Sequence, residues 1–189
     1  MTLPGTDTLV IEQPWGALRH LLGTRYRIDV HDGRGTLLAT VSERGFLGPL
    51  RKLLRATAFS GRTRFDLALA YGGQPLLLIR KGAGKPPTRV TWPNGVEVGS
   101  VRHEGHGAYG LLDAAGQRLC LLHEVASFSA GAITKRDGRR VRRDVLNLRP
   151  GTPDPVRSLA IAAAVAYDVV RGVGTNHTSP GGFDFPTPV

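Results

Sequence analysis

The uncharged stretch at 158–167, bracketed by Arg157 and Asp168 and centred on LAIAAAVAY, constrains this chain more than any other segment. As a helix it spans about 15 Å, half of the ~30 Å that a bilayer core requires. No membrane span is therefore expected, and the segment must be covered by protein instead. The flanking residues set its ends. Thr152 can cap a helix, Pro153 suits a first turn, and Asp154 favours the positive end of the dipole. Pro155 is still early enough to be tolerated, and Gly172 and Gly174 stop the helix. A helix from about Asp154 to Arg171 follows. Leu159, Ile161, Ala163, Val165, Ala166, Val169 and Val170 make it apolar on every side, as in a helix buried all round.

Nearly everything before that helix alternates with the period of half-buried strands. Thr8–Glu12 is a first strand, ended by Pro14. Tyr26, Ile28 and Val30 share one face of a second, with Arg27, Asp29 and His31 on the other. Asp32–Gly35 turns the chain into Thr36–Ser42, where Leu37, Ala39 and Val41 share a face. Further strands are expected at 65–71, 75–80, 88–92, 96–102, 108–112, 117–123, 132–136 and 139–148. Turns at Gly72-Gly73, Asn94-Gly95, Gly116 and Asp137-Gly138 join many of them. Asp-Gly is a strong hairpin signal, since both central positions favour positive φ. The exception is Phe46–Phe59, where Leu47, Leu50, Leu53, Leu54 and Ala58 lie along a helical stripe. A short amphipathic helix is expected there, with a strand as the alternative. About a dozen short strands imply an antiparallel barrel or sandwich, and one greasy helix implies a barrel closed around it. The expected organisation is one domain over 8–171 and a tail over 172–189.

The formal net charge of +10 favours anionic partners without choosing among lipid headgroups, nucleic acid and acidic proteins. Cys120 is the only cysteine, so no internal disulfide forms, and a reducing, cytoplasmic setting is expected. The first residues show no basic start followed by a long apolar run, so no signal peptide is expected.

In three features the chain resembles the phospholipid scramblase and LURP-one-related family, whose domain is the tubby-like fold. These are the hairpin YRIDVHDGRGTLLATV, the strand pair typified by YGLLDAAGQRL, and the closing helix DPVRSLAIAAAVAYDVV. The resemblance covers about Leu9 to Arg171. It implies a mainly β fold, a closed antiparallel barrel of about twelve strands around a buried hydrophobic C-terminal helix. It also implies contact with anionic lipid headgroups through basic residues. The chain lacks the proline-rich N-terminal region, the cysteine cluster and the acidic calcium loop of the scramblases, so lipid scrambling is not implied.

The residues carry no nucleotide-binding signature: neither GxxxxGK[ST] nor a GxGxxG between strand and helix is present. KGAGKPP at 81–87 reads as a loop. His103 and His106 are three apart, as are Cys120 and His123, which places each pair on opposite faces of a regular strand. They read as surface histidines and a buried cysteine rather than as zinc ligands, and no metal or cofactor is expected. Asp168 in the apolar helix needs a partner or must be neutral. It reads either as an acid or base with a raised pKa or, preferably, as a carboxylate where the helix leaves the core, bridged to an arginine or bonded to backbone amides.

The basic run KRDGRRVRR is the main candidate site. Lys135, Arg136, Arg139, Arg140, Arg142 and Arg143 crowd one hairpin against Asp137. Arg140 and Arg142 share a strand face, and Arg139 and Arg143 share the other. Guanidinium groups suit phosphates. The competing reading is a solvated edge whose charge resists sheet-to-sheet pairing. Arg51, Lys52 and Arg55 would extend the same surface. The expected function is a non-enzymatic binding or scaffold domain that recognises anionic phospholipid headgroups, peripheral to a membrane, with a protein partner also compatible. The alternatives are a nucleic-acid-binding module, which would normally interleave aromatics with the basic residues, and an enzyme of unknown class.

Overall fold

A computed structural model describes residues 6–15, 27–45, 62–105, 108–129, 131 and 133–170. The amphipathic segment at 46–59, with Arg51, Lys52 and Arg55, lies outside the described residues, as do His106 and the tail at 172–189.

The strands are β1 (Thr8–Pro14), β2 (Arg27–Asp32), β3 (Leu37–Glu43), β4 (Phe65–Tyr71), β5 (Gln74–Lys81), β6 (Thr88–Thr91), β7 (Glu97–Gly105), β8 (Ala108–Leu112), β9 (Arg118–Leu121), β10 (Ala126–Ser129), β11 (Ile133–Arg136) and β12 (Arg139–Leu148). They form one twelve-stranded antiparallel sheet in the order β10-β12-β1-β2-β3-β4-β5-β6-β7-β8-β9, with β11 also paired to β12. Alternation explains several of the strands, whereas β1 and β5 carry runs of consecutive buried residues. Ile28 and Val30, Val41 and Ala39, and Phe65, Leu67 and Leu69 face the core, while their neighbours along the strand are more exposed. Leu37 departs from the expected face. A register shift between Val30 and His31 leaves it half exposed rather than beside Ala39 and Val41.

Two helices are described. α1 (Leu122–Val125) is a single turn between β9 and β10. The Glu124 carboxylate accepts the Leu121 backbone N–H at 2.7 Å and so starts that turn. α2 (Val156–Val170) has fifteen residues, with every residue from Ser158 to Val170 buried. It packs against β5, β6, β7, β8 and β12. Its first turn is served by Asp154 rather than Thr152. The Asp154 carboxylate accepts from the Ser158 backbone N–H at 3.3 Å and from its hydroxyl at 2.7 Å. The Thr152 hydroxyl instead donates back to the Arg149 carbonyl at 2.6 Å.

The sheet is open, which corrects the closed barrel around a single helix and with it the tubby-like fold that the scramblase and LURP-one resemblance implied. Its strand path ends at β9 on one side and at β10 on the other, and no register joins these ends among the described residues. The cause lies at 122–125. A strand running to His123 was expected there, but the chain leaves the ladder after Leu121, turns through α1, and re-enters as β10 along β12. β10 went unread in the sequence, because ASFS alternates over only four residues, too few to mark a strand by themselves.

Close packing around α2 uses alanines, with Ala160, Ala162, Ala163, Ala164 and Ala166 wholly buried. Small side chains let strands approach the helix, so extra methylenes there have nowhere to go. Ala163→Leu is expected to lower unfolding stability by about 1–3 kcal/mol, read as a lower urea midpoint by circular dichroism.

Candidate functional site

The β1–β12 and β1–β2 registers build two polar clusters on opposite sides of the sheet. Gln13 stands across from Arg142, and Glu12 across from Arg143. Glu12 also stands across from Asp29, and Val10 across from His31. Successive residues point to opposite faces. Gln13 and Arg142 therefore turn toward α2, and Glu12 turns away from it with His31 and Arg143.

On the inner side Arg142 is fully buried and reaches Asp168 of α2. Its Nη2 donates to Asp168 Oδ1 and to the Asp168 carbonyl, each at 2.7 Å. Gln13 Nε2 donates to Asp168 Oδ2 at 2.6 Å. Asp144, equally buried, lies 3.9 Å from Arg142 Nε and accepts the Gly131 backbone N–H at 2.6 Å. Asp168 thus takes the structural role, bridged to an arginine. A Cβ at Gly131 would collide with the Arg143 carbonyl, so the chain passes β12 there as glycine alone permits.

On the outer side an open cleft of about 480 Å³ runs between β2–β3 and the β11–β12 hairpin. Glu12, Asp29, His31, Arg136, Asp137, Arg139 and Arg140 contribute its polar lining. Glu12, only 8% exposed, is the hub. Arg136 Nη1 donates to its Oε2 at 2.8 Å, His31 Nδ1 lies 3.8 Å from the same oxygen, and Arg143 Nε lies 3.8 Å from Oε1. Arg136 Nη2 also reaches the Gly35 carbonyl at 3.3 Å. The hairpin turn has positive φ at both Asp137 (49°) and Gly138 (75°), as Asp-Gly implied. His31, 5% exposed, is held below the usual histidine range. Burial is the chief cause; Glu12 and Asp29 oppose it, and Arg136 and Arg143 add to it.

The basic run is therefore divided. Arg142 is internal. Arg136 and Arg143 are engaged by Glu12. Lys135, Arg139 and Arg140 are exposed and make no ion pair among the described residues. Sequence reasoning missed Glu12 and His31, since a lone acid and a lone histidine in separate strands carry no signal until the register joins them. It also missed Trp15, half-buried beside the hairpin, whose backbone N–H donates to the Arg140 carbonyl at 2.9 Å. Elsewhere, Lys81 Nζ donates to the Gly84 carbonyl at 2.6 Å, so the lysine ties down its own KGAGKPP loop. His103 packs on Tyr109, and Cys120 is half-buried on β9. No group of metal-ligating side chains converges, and no helix is long and apolar enough to cross a membrane, among the described residues.

No protein-family model, no curated protein and no solved structure matches this chain.

Two outcomes follow from the clusters. Arg142→Ser leaves Asp168 buried without its cation and is expected to cost about 3–5 kcal/mol. Arg139→Ser and Arg140→Ser, on the exposed strand end, are each expected to stay within about 0.5 kcal/mol; chemical denaturation separates the classes. His31 is harder to protonate folded than unfolded, so its contribution is complete above about pH 6.5 and declines as pH falls through the depressed folded value. The wild-type denaturation midpoint should drop over that interval, and His31→Gln should flatten the drop.

Proposed function

We propose that this chain is a binding domain that recognises an anionic phospholipid surface, as a peripheral contact, through Lys135, Arg139 and Arg140 of the β11–β12 hairpin. The observation that carries this reading is the division of the basic run. Three neighbouring cations are spent on Glu12 and Asp168, while these three stay exposed and make no ion pair among the described residues. Exposed arginine is suited to phosphate oxygens, since its planar fork offers paired donors. A nucleic-acid groove would interleave exposed aromatics along the basic residues, and KRDGRRVRR has none.

Each basic residue near an acidic membrane contributes about 1 kcal/mol, so three are worth roughly two orders of magnitude in affinity. In liposome co-sedimentation, the protein should pellet with phosphatidylcholine vesicles that carry phosphatidylserine and not with neutral vesicles. Binding should weaken as salt rises. The variant combining Lys135→Ser, Arg139→Ser and Arg140→Ser should keep its unfolding midpoint and lose about a hundredfold in affinity. Absence of binding to acidic vesicles at low salt overturns the proposal.

A further inference from the structure

An anion that enters the cleft finds one already seated there. Glu12 lies under the hairpin with Arg136, Arg143 and His31 around its carboxylate. Arg136 remains 40% exposed while it holds Glu12, so its other donors still face the cleft. An external phosphate must use those donors against the charge of Glu12, or displace it.

We propose that Glu12 is an internal counter-anion that sets the affinity of the hairpin for external anions, and that proton uptake by His31 loosens its hold on Arg136. This inference rests on the reading of the hairpin as an acidic-membrane contact. Arg136 and His31 address the same oxygen, Oε2, so a proton on His31 competes with Arg136 for it. His31 Nδ1 has no hydrogen-bond partner among the described residues, which leaves Oε2, at 3.8 Å, as the acceptor an imidazolium would approach. The charges around His31 come from four strands: Glu12 of β1, Asp29 of β2, Arg136 of β11 and Arg143 of β12. At neutral pH burial keeps the ring uncharged and Glu12 stays on Arg136. A phosphate brought into the cleft adds negative charge beside the ring and draws a proton onto it. Linkage is reciprocal, so the proton must equally tighten the phosphate.

The test measures binding to phosphatidylcholine vesicles carrying phosphatidylserine from about pH 8 to about pH 5. It compares wild type with Glu12→Gln, His31→Gln and the double variant Glu12→Gln with Arg136→Gln. Glu12→Gln keeps shape and removes one charge, and at neutral pH should bind about tenfold more tightly than wild type. That gain should vanish in the double variant, because Arg136 is the cation released. Wild-type binding should tighten as pH falls, with a shallower profile in His31→Gln. Unfolding midpoints establish that each variant is folded; were Glu12→Gln unstable, the wild-type and His31→Gln profiles decide alone. Equal affinities of folded wild type and Glu12→Gln, with identical pH profiles for wild type and His31→Gln, overturn the inference and leave the membrane reading standing. Failure of wild type to bind any acidic vesicle overturns both.

Discussion

The bridge between Arg142 and Asp168 is the interaction on which the rest of this structure turns. Both side chains are fully buried, and their contact at 2.7 Å joins β12 to the last turns of α2. Withdrawing two charges from water costs several kcal/mol each, and only close pairing with further hydrogen bonds offsets that cost. Gln13 supplies one such bond, and the Asp168 carbonyl takes another from Arg142. The helix therefore meets β1 and β12 through a directional contact, in addition to its packing against β5 to β8. Hydrophobic burial alone is non-directional. This bridge defines which end of the helix lies against which strands.

The same register determines the outer cluster. A slip of one residue between β1 and β12 would exchange the two faces, turning Glu12 toward α2 and Gln13 toward the cleft. The pairing that sets Gln13 beside Arg142 inside is the pairing that sets Glu12 beside Arg143 outside. Core and cleft are thus two consequences of one ladder. Net charge is a poor guide to such a surface. Of the basic residues in KRDGRRVRR, Arg136, Arg142 and Arg143 pair with acids within the fold, so the count of cations overstates the charge that the surface presents.

The open sheet leaves strand edges at β9, β10 and β11 among the described residues. Lys135 on β11 and Arg118 on β9 place positive charge at two of those edges, a common way to discourage pairing between molecules. Charge on β11 serves that purpose whether or not it also meets a membrane. The two roles are compatible, since a lysine that repels a second sheet still attracts a phosphate.

Much of the fold was legible because period-2 alternation and turn chemistry act locally. The core-facing pairs Ile28 with Val41 and Val30 with Ala39, the strand Phe65–Tyr71, the Asp137-Gly138 turn and the apolar run ending at Val170 can each be read from a few adjacent residues. β10 and α1 could not, because each is only four residues long, and their path is set by what they pack against. The need of Asp168 for a partner was also legible, as an uncompensated carboxylate in an apolar helix is too costly to leave alone. Its partner was not, and Arg142 was grouped with the surface arginines. Apolar residues occur on both parities of β12, at Val141 and Val145 and at Leu146 and Leu148, so alternation there does not say which face is inside. The sequence by itself determined most of the strands and their turns, the buried helix and the presence of a concentrated basic hairpin. Only the tertiary structure decided that the sheet stays open, that Arg142 belongs to the core, and that Glu12 and His31 lie beneath the hairpin. Those outcomes depend on pairings between residues far apart in the chain, and no local pattern encodes which strand another will meet.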